Sequence, residues 1–299
     1  MKHSVKEWVA VTRYWSFPVS TMPVVATFAW LFSKGLVPSG ATPWIVLGMC
    51  LAGVVTLHSA GNVLSDWADH RSGVDNEKAY AVPNLVFGHF QPKEYLVFSV
   101  ILFVVGIALG LGITAICGTG LLVVGGIGVL LTAAYSFLKY HALGDLDIVL
   151  IFGVLTVLGT AYAITGRFMP EALVISVPTG IITVSVLHAN NSSDSVSDRE
   201  AGIRTFAMLI GAKVSAVLYC VYMVVPFLWV AVSAAAGWMH PLALLCLPAA
   251  VRAYKNFRQG IRAYKEGIGA MEGLDLASAK LQLMFSVLLS AGLFMAGLI

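Results

Sequence analysis

The chain has 299 residues, 59% of them hydrophobic and only 11% charged, with a mean hydropathy of +0.87 and a formal net charge of +3. So few polar side chains cannot coat a soluble globule of this size, which excludes an ordinary soluble domain and leaves an all-α, polytopic membrane protein. The charge is small in sum and tells more by where it falls.

A helix needs about 20 apolar residues to cross roughly 30 Å of hydrocarbon. Apolar stretches of about that length predict nine transmembrane helices, at 17–33, 43–63, 95–114, 116–135, 147–165, 172–189, 214–236, 239–252 and 281–299. The eighth is short and carries Pro241 and Pro248. The first lacks a small-residue cleavage site and is read as a span, not a cleaved signal peptide. With the N-terminus inside, 16 of the 18 Lys and Arg residues fall on one face, and only Lys34 and Arg167 fall on the other. Cytoplasmic loops carry that excess. The expectation is an integral protein of a bacterial inner membrane with a cytoplasmic N-terminus and an outside C-terminus. Cys50, Cys117, Cys220 and Cys246 lie in or beside apolar spans without metal-type spacing and read as small core residues.

The outer connections, such as "GRFMPE" and "GWMHP", are short. The inner ones, 64–94, 139–147, 190–213 and 252–280, hold 13 of the 15 acids. Gly106, Gly110, Gly125, Gly126 and Gly128 read as close helix packing, which lipid-embedded helices need because lipid gives no hydrophobic drive between them. The segment 252–265, "RAYKNFRQGIRAYK", reads as a basic, partly amphipathic stretch against anionic lipid headgroups. No recognition motif accompanies it, and no nucleic-acid partner is expected.

An internal repeat stands out. "HSAGNVLSDWAD" carries His58, Asn62, Asp66 and Asp69, and "HANNSSDSVSD" carries His188, Asn191, Asp194 and Asp198. Corresponding residues lie 128 to 130 positions apart, each set ending an even-numbered span. Asn62, Asp66 and Asp69 (i, i+4, i+7) share one helix face, as do Asn191, Asp194 and Asp198 (i, i+3, i+7). Stacked carboxylates beside hydrocarbon need a cation or water. Oxygen ligands without a His/Cys cluster suit Mg²⁺, which completes its shell with water and substrate phosphates. Two facing columns would therefore hold a Mg²⁺-diphosphate, with Lys78, Arg71, Lys139, Arg199 and Arg204 complementing its charge. His58 and His188 read as polar supports of the site. Solvated loop acids are the plainer reading of the same residues.

"SDWADHRSGVDN" (65–76) and "NNSSDSVSDREAGIRTFAMLIG" (190–211) resemble the two aspartate motifs of the UbiA superfamily of membrane prenyltransferases. The resemblance extends through "TRYWSFPVSTMPV" (12–24), "KYHALGDLDIVLIFG" (139–153) and "DLASAKLQLMFSVL" (275–288) to nearly the whole chain, a single domain over 1–299. "SGVD" and "DREAGI" are most similar to the branch that prenylates 1,4-dihydroxy-2-naphthoate in menaquinone synthesis and to its animal relative. The resemblance implies nine helices around a central cavity capped on the cytoplasmic side. It also implies that Asp66, Asp69, Asp194 and Asp198 are catalytic, holding Mg²⁺ and an isoprenoid diphosphate. Asp75 matches a later acid of the first motif. Asn62, Asn190 and Asn191 match polar site positions, and Arg13, Tyr135 and Lys139 match positions that carry a basic residue or a tyrosine.

Ser65, Ser193 and Asn84 depart from the motifs' usual Asn, Arg and basic residue. The implied reaction is Mg²⁺-dependent transfer of a polyprenyl group to an aromatic acceptor, with loss of carbon dioxide and a proton. The alternatives are another acceptor, such as 4-hydroxybenzoate or a lipid precursor, and a cation-coupled secondary transporter. The latter predicts acids near the bilayer midplane, whereas these lie at span ends. The sequence is silent on oligomeric state.

Overall fold

In lipid every backbone N–H and C=O must find its partner within its own segment, so long apolar runs fold as helices. A computed structural model describes residues 3–73 and 85–299. In chain order the helices are α1 Val5–Val11, α2 Pro18–Ser33, α3 Thr42–Ser72, α4 Pro92–Cys117, α5 Leu121–Tyr140, α6 Gly144–Ile148 and α7 Thr156–Thr165. They continue with α8 Leu173–Ser193, α9 Ser195–Glu200, α10 Phe206–Ile210, α11 Ala212–Ala235, α12 Ala250–Glu266 and α13 Leu274–Ala296. A π-helical segment, Val149–Leu155, fuses α6 to α7, and a 3-10 helix, Pro241–Ala249, runs straight into α12. Among the described residues there is no strand, only an isolated bridge between His141 and Arg204.

Local chemistry sets the ends. Ser4 and Glu7 cap α1 reciprocally, the Ser4 N–H donating to Glu7 Oε2 at 2.7 Å and the Glu7 N–H to Ser4 Oγ at 3.3 Å. Gly73, at φ +75°, closes α3 in the left-handed conformation that glycine adopts without cost.

Eight helical stretches among the described residues are long and apolar enough to cross a membrane. The predicted 239–252 span is not one of them. It takes form as the proline-bounded 3-10 helix followed by the charged α12, because Arg252, Lys255 and Arg258 follow too soon for a continuous apolar run. That composite helix still lies along α13. A Cβ on Gly292, near the end of α13, would meet the Leu242 carbonyl, while Gln259 donates to the Ala270 and Glu272 carbonyls just before α13 begins.

Phe28, Tyr219, Phe285 and Leu289 are fully buried, whereas Val100, Ile101, Val104, Leu130 and Leu228 are exposed. An outward apolar band of this kind suits lipid contact. α8 is the central post, burying 14 of its 21 residues. It crosses the π-helical segment so closely that a Cβ on Gly180 would lie 3.1 Å from Gly153 Cα. α5 is its opposite, burying only Val124, and the space it leaves unfilled is the cavity described next.

The glycine expectation divides. A Cβ on Gly106 would meet the Leu57 side chain at 2.6 Å, a true close approach. At Gly110, Gly125, Gly126 and Gly128 it would meet nothing within 4 Å, and these glycines line the cavity. Their faces are turned to open space instead of a neighbouring helix.

Candidate active site

One cavity of about 1150 Å³ runs nearly the length of α5, from Lys139 near its end to Leu121 at its start. At the Lys139 end the described wall includes Asp69, Asp194, Asp198 and Asp275, with Arg13, Asn62, Tyr135 and Asn190. Toward the other end it is built from Leu, Ile, Val and Gly, including Ile107, Leu111, Leu122 and Val129. The carboxylates thus come from both halves of the repeat onto a single surface, with apolar space beyond.

In the first set, Asp66 and Asp69 lie on the last two turns of α3, 3% and 5% exposed. Each already faces a cationic or donor side chain. Arg13 Nη2 donates to Asp66 Oδ1. Lys139 Nζ lies 3.6 Å from Asp69 Oδ2, and the Tyr140 hydroxyl donates to Asp69 Oδ1. Asn62 lines the cavity and donates to the Thr12 carbonyl at 3.0 Å. Among the described residues the wall includes Arg13 but not Asp66.

The second set is not the single column the spacing predicts. α8 ends at Ser193, Asp194 forms the junction at φ −86°, ψ 4°, and α9 starts afresh at Ser195. The face that α8 turns to the cavity carries Asn190, not Asn191, and the Asn190 side chain donates to Asp194 Oδ2 at 2.9 Å. Asn191 is turned into the protein, 1% exposed, and donates to Asp145 Oδ1 at 3.3 Å. Burial pushes the Asp194 carboxyl up despite hydrogen bonds from Ser193 and Asn190 and the nearby Lys139 charge. Burial likewise drives Asp198 up to about 6, against the pull of Lys139. Buried carboxylates of this kind gain from a cation brought to them.

Arg204 stands apart from the predicted site. Its backbone N–H reaches the Tyr140 carbonyl at 3.4 Å, and because Ile203 and Thr205 turn inward, Arg204 between them is exposed. Asp75 and Lys78 lie outside the described residues. The two repeat histidines differ: His58 lines the cavity between the Ser16 and Ser20 hydroxyls. His188 is fully enclosed, its Nδ1 2.7 Å from Asp145 Oδ2 and its Nε2 2.9 Å from Ser215 Oγ. Tyr140, Asp145, Asp275 and Ser16 escaped the sequence reading of the site. Tyr140 and Asp145 lie in "KYHALGDLD" and Asp275 opens "DLASAK", stretches that carry the family resemblance without singling out those residues.

The donor set at the cavity's polar end is made of oxygens. Among the described residues no three His, Cys, Asp or Glu side chains form a metal-binding group. The carboxylate oxygens of Asp69, Asp194 and Asp198 on the wall are the donor type that suits Mg²⁺, which one or two carboxylates hold while substrate phosphates and water complete the octahedron.

Comparison with known proteins addresses family and fold. The model of the UbiA prenyltransferase family matches residues 21–267. UbiA prenyltransferase domain-containing protein 1 of Mus musculus is 32% identical over 305 residues, covering 99% of this chain and 86% of the relative. The Homo sapiens protein is 32% identical, covering 97% and 83%, and the Drosophila melanogaster homolog 30%, covering 85% and 72%. Among solved structures, a UbiA homolog from Aeropyrum pernix K1 superposes with a TM-score of 0.71 at 18% identity, over 93% of this chain and 97% of that one. A UbiA homolog from Archaeoglobus fulgidus bound to GPP and Mg²⁺ gives 0.65 at 12%, over 98% and 99%. These relatives are animal proteins whose names specify no acceptor, so the naphthoate branch and the bacterial membrane are narrower than what the likeness carries. What it carries is membership: the chain belongs to the UbiA prenyltransferase family.

Proposed function

We propose that this protein transfers a polyprenyl group from an isoprenoid diphosphate to an aromatic acceptor in a Mg²⁺-dependent reaction. The acceptor is 1,4-dihydroxy-2-naphthoate, and the product is the prenylated hydroquinone, demethylmenaquinol, which a separate oxidation converts to demethylmenaquinone. The observation that carries the reading is that Asp69 from one half and Asp194 and Asp198 from the other share one cavity wall with Lys139. Beyond them lies apolar space suited to an isoprenoid chain. The Archaeoglobus fulgidus homolog bound to GPP and Mg²⁺ supports the same donor class.

Asp69, Asp194 and Asp198 would hold Mg²⁺, with Asp75 contributing from its motif position. Bound Mg²⁺ supplies Lewis-acid neutralisation of the charge that builds on the diphosphate as the allylic C–O bond breaks. Lys139 and Arg13, on the same wall, add fixed positive charge to that leaving group. Asn62 and Asn190 hold their neighbours in place through the Thr12 carbonyl and the Asp194 carboxylate. The apolar walls keep water from the allylic cation, and Tyr135 and Phe152 offer ring faces to it. The naphthoate carbon bearing the carboxylate attacks the allylic cation left by the departing diphosphate, and loss of carbon dioxide returns the bonding electrons to the ring to give the hydroquinone.

The test is purified protein in detergent with Mg²⁺, an isoprenyl diphosphate and a panel of acceptors. The expected result is a prenylated product from dihydroxynaphthoate that disappears in Asp69→Ala and Asp194→Ala. Product from 4-hydroxybenzoate or a lipid precursor alone would reassign the acceptor, and no prenylated product from any acceptor would sink the reading.

A further inference from the structure

Of the four aspartates the repeat brings forward, Asp66 behaves differently. Its side chain is 4% exposed against the Arg13 guanidinium, itself 30% exposed and on the cavity wall. Arg13 takes a left-handed backbone conformation, φ 55° and ψ 49°, between α1 and the 3-10 helix Tyr14–Ser16. For a residue with a Cβ that conformation persists only where the surroundings enforce it. Here they do. Asn62, one turn before Asp66 on the same face of α3, donates to the Thr12 carbonyl at 3.0 Å and to Ser16 Oγ at 3.4 Å. Ser16 Oγ in turn donates to the Arg13 carbonyl at 2.8 Å. Asn62 and Asp66 therefore grip the Arg13 turn from both flanks and from the side-chain end. A guanidinium has five donors in a planar fork, enough to face a carboxylate and a diphosphate oxygen together.

We infer that Asp66 is a positioning residue that aims Arg13 at the donor's diphosphate, and is not a Mg²⁺ ligand. The inference rests on the proposed prenyl transfer and divides the first motif into two functions. Asn62 and Asp66 set the arginine, while Asp69 faces the cation site.

The test measures two quantities on wild type, Asp66→Asn, Arg13→Gln, the double variant and Asp69→Asn. These are the Mg²⁺ affinity by calorimetry without donor, and kcat and KM for geranyl diphosphate. Asp66→Asn and Arg13→Gln should each raise the donor KM about tenfold while leaving Mg²⁺ affinity within twofold. The double variant should be no worse than Arg13→Gln, as expected for two residues acting through one contact. Asp66→Glu should recover most of the KM. Asp69→Asn should weaken Mg²⁺ itself. A tenfold loss of Mg²⁺ affinity in Asp66→Asn, or KM effects that multiply in the double variant, would overturn the assignment. If Asp66→Asn does not fold, Asn62→Ala takes its place and must raise KM without shifting Mg²⁺ affinity. Should wild type bind Mg²⁺ but turn over no isoprenoid diphosphate, prenyl transfer falls. The assignment of Asp66 is then still decided by its Mg²⁺ affinity against that of Asp69→Asn.

Discussion

His58 and His188 occupy matching places in the repeat, yet one lines the cavity and the other is enclosed between Asp145 and Ser215. The enclosed pair is structural in a way that can be measured. Removing one partner of a buried polar pair leaves the other desolvated, at a cost of about 3 kcal/mol. His188→Leu should lower the thermal midpoint in detergent by several degrees, whereas His58→Leu should change it much less. Asp198 makes a prediction of a different kind. Burial lifts its carboxyl to about 6, so below that pH it is protonated and cannot hold a cation. The Mg²⁺ affinity of the donor-free protein should therefore fall as pH drops through about 6, approaching tenfold per pH unit per proton displaced. Calorimetric titrations at pH 5 and 7.5 check this, and Asp198→Asn should flatten the dependence while weakening binding at the higher pH.

Among the helices, α5 and α8 divide the labour. α8 is packed on nearly every side, and the face it turns to the cavity presents Asn190, with Asp194 just past its end, while Asn191 points into the protein. α5 keeps one face bare. Gly125 and Gly128 sit where a side chain would project into open cavity, so a larger residue there should shorten the chain the cavity accepts. Gly125→Leu should lower kcat/KM for a C20 donor at least tenfold more than for a C10 donor, about 1.4 kcal/mol of discrimination. Gly48→Leu, on an exposed position of α3 with equally free space but away from the cavity, is the control and should leave that ratio unchanged. Equal losses with both donors would show that the bare face does not measure chain length.

For the whole molecule, the two halves pack along one another, α2 lying against α7 and α13, and the candidate site forms where α3, α5, α8 and α9 converge. A cation shared across that junction should make activity wholly dependent on divalent metal. EDTA should abolish product formation and added Mg²⁺ restore it, in detergent as in liposomes, and activity that survives chelation would refute the shared site. The helical class, most span positions and the two acidic motifs were legible in the sequence because span length, hydropathy and helical spacing are local quantities. The basic stretch 252–265 was legible too, but its attachment to a proline-bounded 3-10 helix made the eighth span a composite, since charge and proline compete with apolar length within one segment. What only the tertiary structure decided was which side chain of each motif faces the cavity. Asn191 is turned to Asp145 and Asp66 to Arg13, off the cavity wall as described. The sequence alone determined a membrane-embedded helical protein with paired acidic motifs. Which of those acids lines the cavity and which faces an arginine depends on contacts between segments more than 50 residues apart, and no local pattern encodes them.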